Sequence, residues 1–206
     1  MVISIDGEEY PHLNNAGRTL GDLLKEVKAS LAADGKMVVG ILCDGNLLAP
    51  DTITTSLKQA VETFSTIEFQ SSKPEDLARN SLDACRNNVG EIEGRIDSVV
   101  GKLQKSEVQS AMNELGLLFG CLNDTYRGLQ GIFQLMKIDP QGVELSTGSA
   151  EKAMVGIVSQ LKDIKAAIEN HDYVQLADLF QYELGPTVKQ WNQIIDNLLD
   201  VLDREK

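Results

Sequence analysis

Histidine is nearly missing from this chain, with two in 206 residues. Neither His12 nor His171 falls on an apolar helical stripe where a general base or metal ligand would be held, and each reads as a solvated turn residue. Cysteine is almost as scarce: Cys43, Cys85 and Cys121 form no close pair. That excludes a disulfide framework or zinc knuckle and leaves them as small buried hydrophobes. No Glu-x-x-His pair supplies the inward ligands of a di-iron bundle. The paired acids Glu91 and Glu93, Asp196 and Asp200, and Asp200 and Asp203 fall off the apolar positions, where solvated faces put them. A Gly-x-Ser-x-Gly elbow is absent, and Gly116, Gly120, Gly128 and Gly131 lie inside a helical period, so no phosphate loop forms. The expectation is a protein with no catalytic residue, no metal and no cofactor. Positive charge is also short: 19 Lys and Arg against 31 Asp and Glu leave a net charge of -12, which nucleic acid and anionic membranes repel. No apolar run approaches the roughly 18 residues of a membrane span, and the opening MVISIDGEEY lacks the basic and apolar regions of a secretion signal. A cytoplasmic location, bacterial in type, is expected.

What the chain does have is two periods. In residues 1–70, Val2, Ile3 and Ile5 lead to the turn pair Asp6-Gly7, after which Glu8 to Leu13 can return as a second strand. Thr19 with Asp22 caps a helix whose Leu20, Leu23, Leu24, Val27 and Leu31 share one face, ending at Asp34-Gly35. The run Met37 to Cys43 (MVVGILC) reads as a central strand. It is followed by a turn at Asp44-Gly45, a short strand near Leu47, a helical turn near Ser56 to Val61 and a last strand from Thr66 to Gln70.

That order, with MVISIDGEEY followed by TLGDLLKEV, resembles the ubiquitin-like β-grasp fold and its small sulfur-carrier branch. The resemblance implies a β-grasp domain over residues 1–70. It does not bring carrier chemistry, because such carriers act through a free C-terminal Gly-Gly, whereas Gln70-Ser71-Ser72 stands here and the chain runs on to Lys206. What remains is a β-grasp used as a binding or assembly module.

From QSSKPE onward the period is helical. Leu82, Cys85, Val89, Ile92, Ile96, Val99 and Leu103 alternate spacings of four and three, the seam of a bundle. After Ser106, read with Gln109 as a cap, Ala111, Leu115, Leu118, Leu122, Thr125, Leu129 and Ile132 continue that seam, while Met112, Phe119, Tyr126 and Phe133 widen it. Ile138 to Gly148 is a connection. A third helix carries Ala153, Ile157, Leu161, Ile164 and Ile168; a fourth carries Ala177, Phe180, Leu184, Val188, Trp191, Ile195, Leu198 and Leu202. Residues 71–206 are thus expected to form an antiparallel bundle of four long helices, and the whole chain to be α+β. Gly90 with Gly94, and Gly116 with Gly120, make small faces that suit either close helix packing or a shallow groove for a partner helix.

The segment Asp172 to Trp191 holds the only tryptophan and two tyrosines, with apolar residues around more than one face. Gly185-Pro186 inside it predicts a kink. Phe180, Tyr182 and Trp191 are accordingly the candidate partner-binding residues, on a helix from Tyr173 to Leu202 that contacts a second chain. The expected function is a non-enzymatic protein-interaction module, an adaptor or chaperone-like binder, whose partner is another protein or its own copy as a homodimer. The alternative is a ligand-binding protein or enzyme with a pocket between the two domains, lined by several of Tyr10, His12, Arg18, Arg79 and Arg86.

Overall fold

Residues 1–14 and 17–204 are described by a computed structural model, and the chain divides into two units, Met1–Leu77 and Ala78–Lys206. The class is α+β, a mixed five-stranded sheet followed by long helices.

In the first unit the strands are β1 (Val2–Ile5), β2 (Glu8–Glu9), β3 (Met37–Cys43), β4 (Asn46–Leu47) and β5 (Thr66–Ser72). Helix α1 (Leu20–Ala33) lies between β2 and β3 in the chain, and the short α2 (Ile53–Ser56) follows β4. The sheet order is β2-β1-β5-β3-β4, with β1 parallel to β5 and the other pairs antiparallel. Both Asp-Gly pairs adopt positive φ at both residues, 52° and 83° at Asp6 and Gly7, 51° and 77° at Asp44 and Gly45. That is the turn whose twist matches a two-residue hairpin. Thr19 caps α1 reciprocally with Asp22. Ile3, Ile5, Ile41, Cys43, Ile67 and Phe69 from the sheet close on Leu20, Leu23, Val27 and Leu31 from α1 in one core.

Three expectations change here. The second strand stops at Glu9, because Pro11 cannot donate to a ladder and instead opens a single tight turn over Pro11–Leu13. β3 is an interior strand as read, paired with β5 on one side and β4 on the other, but its apolar run is not buried throughout: it alternates buried and open residues, and Met37 and Val39 are exposed. The last strand passes Gln70 to Ser72, where the Asp6 carboxylate accepts from the Ser71 N–H at 2.7 Å and from its hydroxyl at 2.6 Å. At the other end of β5, Asp44 accepts from the N–H groups of Ser65 and Thr66 at 2.7 and 2.9 Å. Each turn aspartate therefore ties its hairpin to the central strand.

The second unit is built on α3 (Pro74–Gln104), α4 (Val108–Met136), α5 (Ala150–Glu169) and a last helical rod made of α6 (Tyr173–Asp178), a π-helical segment (Leu179–Leu184) and α7 (Gly185–Arg204). A small hairpin of β6 (Glu144–Leu145) and β7 (Gly148–Ser149) sits in the connection before α5. Neighbouring helices run antiparallel. Cys85 of α3 contacts the Thr125 carbonyl on α4, while Ser98 and Lys102 near the end of α3 bond Glu114 near the start of α4. Arg79 and Arg86 pair with Asp203 and Asp196 on α7 at 2.6 and 2.5 Å. Gln160 of α5 reaches the Thr187 hydroxyl at 2.8 Å. The α3 seam is buried from Leu82 to Leu103, as is the α4 seam from Ala111 to Ile132.

Ser106 does not cap α4; it takes φ 62° and Glu107 stands at the helix start. At Gly185-Pro186, where the sequence predicts a kink, the helical rod continues from the π-helical segment into α7. Pro186 offers no N–H, and the turn ahead of it widens so that the Gly185 N–H bonds the Phe180 carbonyl five residues back. The glycines divide in a way their spacing does not reveal. Gly90, Gly94, Gly116 and Gly120 face open space, so close packing is not their role, whereas a Cβ at Gly128 would stand 2.7 Å from Cys85 Sγ.

Candidate functional site

The wide apolar stripe of α4 and the apolar face of α5 are not fully closed against each other. Between them runs a groove of about 480 Å³. Its floor is Leu122, Ile157, Ile164 and Trp191, all buried, and its walls are the half-buried Phe119, Tyr126, Leu161 and Ile168. Asn123, Val158, Lys165 and Glu169 stand at its lip. Tyr126 also borders a second depression of about 360 Å³, formed with Gln130, Phe133 and Gln134 of α4 and Glu151, Met154 and Val155 of α5. The two depressions share Tyr126 and both lie between α4 and α5. Val158 at the edge of the first and Val155 at the edge of the second are 47% and 60% exposed, far more than a β-branched residue packed in a core.

Polar groups in and around the groove are few. Tyr126 accepts a hydrogen bond from Gln130 Nε2 at 3.0 Å. Lys165 and Glu169 lie 3.7 Å apart one turn from each other on α5. The Trp191 Nε1–H is buried without an acceptor among the described residues. Such a lining can hold apolar side chains by burial; it offers no set of convergent donors that would orient a reacting group.

The residues singled out by sequence are not together. Phe180 and Trp191 are both fully buried, while Tyr182 is 67% exposed. Phe180 and Trp191 are thus core residues and cannot be surface anchors. Both lie on the apolar stripe of the rod, and in the π-helical segment Leu179 and Leu184 are buried together with Phe180. The surplus apolar girth read on this helix is absorbed inside the unit, and Trp191 ends as part of the floor beneath α4 and α5. Leu161 and Ile168, read as core, are half open to the groove.

The remaining polar candidates have structural partners. Arg79 and Arg86 hold α7 against α3 through the ion pairs above. Arg18 binds Glu26 and the Leu13 carbonyl. Tyr10 and His12 meet edge to face, ring centres 5.8 Å apart. His171 is in an exposed left-handed turn with Nδ1 3.2 Å from the Tyr173 hydroxyl. Burial pushes the Cys43 and Cys85 thiols up, away from the reactive thiolate. Glu114 is held below the usual carboxylate range, first by the Lys102 ammonium and then by the Ser98 hydroxyl. Among the described residues no group of three or more His, Cys, Asp or Glu is placed to hold a metal ion, and no helix is long and apolar enough to cross a membrane.

Residues 80–194, which contain the whole groove, match the family described as a domain of unknown function, DUF8042. The chain belongs to that family. Its N-terminal residues 1–73 match a second family, described as the TP0873 N-terminal domain. Over 194 residues the chain is 20% identical to an uncharacterized protein of Treponema pallidum (strain Nichols), a match covering 92% of this chain and 93% of the relative. The aligned stretch therefore takes in parts of both units of this chain. No solved structure matches.

Proposed function

We propose that the protein is a non-enzymatic interaction module, an adaptor or chaperone-like binder that docks an apolar helical surface of another chain in the α4–α5 groove. The observation that carries this reading is the open groove edged by exposed valines on a helix that is otherwise well packed. Grooves with anchors at helical spacing on both walls, as Phe119, Tyr126 and Phe133 are on α4, suit an amphipathic helix. The commitment of Arg18, Arg79 and Arg86 to ion pairs and the inert thiols add support.

The first unit is read as a β-grasp module, supported by its strand order and by the parallel β1–β5 pair flanking α1 in the chain. The bacterial cytoplasm is the proposed location: three free cysteines fit a reducing compartment, and a relative is found in Treponema.

A photo-crosslinking amino acid placed at Val158 and activated in the native cell tests the docking reading. An adduct with a second chain, absent when the probe is at the exposed Val174, is expected. No adduct from Val158 would overturn it.

A further inference from the structure

The outer face of α5 carries a pattern that is its own complement. About Val158, Val155 and Leu161 lie three residues either side, and Glu151 and Lys165 lie seven residues either side. At 3.6 residues per turn these five positions fall within one third of the helix circumference. None is shut in: Val155, Val158, Glu151 and Lys165 are exposed and Leu161 is half-buried. When two such helices are laid antiparallel with Val158 on the two-fold axis, each valine at 155 meets a Leu161 and each Glu151 meets a Lys165. The stripe spans about 21 Å at 1.5 Å per residue. Opposite charges at equal distances from an apolar centre are what a two-fold contact between identical surfaces needs, because each residue there must complement its symmetry mate.

The wall across the groove points the same way. The α4 residues lining it, from Phe119 and Asn123 through Tyr126 to Gln130 and Gln134, carry no charge, although the chain as a whole carries -12. Two copies of so acidic a protein repel one another over most of their surface, and this α4 wall adds nothing to that repulsion.

We propose that the α4–α5 groove is a homodimer interface in which two copies pack α5 antiparallel about Val158, with Glu151 of each facing Lys165 of the other. This rests on the reading of the groove as a docking surface and commits it to one occupant, a second copy of this chain. The test uses the full chain in analytical ultracentrifugation across micromolar concentrations. A species of twice 22.5 kDa is expected for the wild type, and V158E, which sets two carboxylates on the axis, is expected to sediment as a monomer with its helical circular dichroism intact. E151K and K165E alone each place like charges opposite one another and are expected to weaken association about tenfold, while the double variant E151K/K165E restores it, with low salt exaggerating both effects. A monomeric wild type, a dimer indifferent to V158E, or a double variant no better than the single ones would overturn the proposal. If the wild type is monomeric while the Val158 probe still captures a different protein in cells, the docking reading stands and only the choice of occupant falls.

Discussion

Phe180 and Tyr182 are two residues apart and have opposite fates, which makes them a sharp test at the level of single side chains. Phe180 is fully buried and Tyr182 mostly exposed. Phe180→Ala is expected to cost about 3 to 5 kcal/mol in denaturant titration, and Tyr182→Ser less than about 0.5 kcal/mol. Glycines give a second pair. Gly120→Ala fills open space on a helix and is expected to stabilise the protein by up to about 1 kcal/mol. Gly128→Ala meets the buried Cys85 sulfur and is expected to destabilise by about 1 to 3 kcal/mol, a loss that Cys85→Ala added to it relieves. Both outcomes are read as shifts of the unfolding midpoint. Spacing alone predicts the burial of Phe180 as one member of a stripe, yet it cannot separate Gly120 from Gly128, because the sulfur that decides between them comes from another helix. The partner-binding role read for Phe180 and Trp191 fails because both belong to the helix's own apolar stripe and are buried there, so their aromatic rings add to the core and not to a surplus surface.

Elements follow sequence most closely where a short-range rule sets them. The Asp-Gly hairpins, the Thr19 cap and the four helical stripes are all decided within a few residues of chain, and all are found at their expected places. What spacing leaves open is coverage. The α5 series Ala153, Ile157, Leu161, Ile164 and Ile168 reads as one buried face, and only the position of α4 leaves Leu161 and Ile168 half open. A hydrophobic period tells which face avoids water and not whether a neighbour reaches far enough to cover it. The α3–α4 pair offers a pH test at this scale. Glu114, bonded to Lys102 and Ser98, has a lowered folded pKa. Its contribution to stability is complete above the unfolded glutamate value, about 4.3, and is lost as pH falls through the lower folded value. Glu114→Gln is therefore expected to lower stability near neutral pH and to leave a shallower acid limb than the wild type, measured by urea titration between pH 7 and 3.

At the scale of the whole molecule, a protein this acidic stays soluble readily and needs a specific face to associate at all. The α4–α5 groove supplies apolar area, uncharged walls on one side and a charge pattern on the other that matches its own reverse. The sequence contains that pattern from the outset, but the residues between Glu151 and Lys165 pass for an ordinary bundle helix until the exposure of Val155 and Val158 is known. Trp191, the only tryptophan, is fully buried within the single chain in the floor of the groove, so its emission is expected to be that of a buried indole at every protein concentration, and a red shift on dilution would report unfolding. The placement of the two-fold axis is read out by a single cysteine. In a Cys121→Ser background, with Cys43 and Cys85 buried, Val158→Cys is expected to give a disulfide-linked dimer under mild oxidation, while the more accessible Val174→Cys stays single. A chain that remains monomeric with cysteine at 158, or links as readily through 174, would contradict an interface centred on α5.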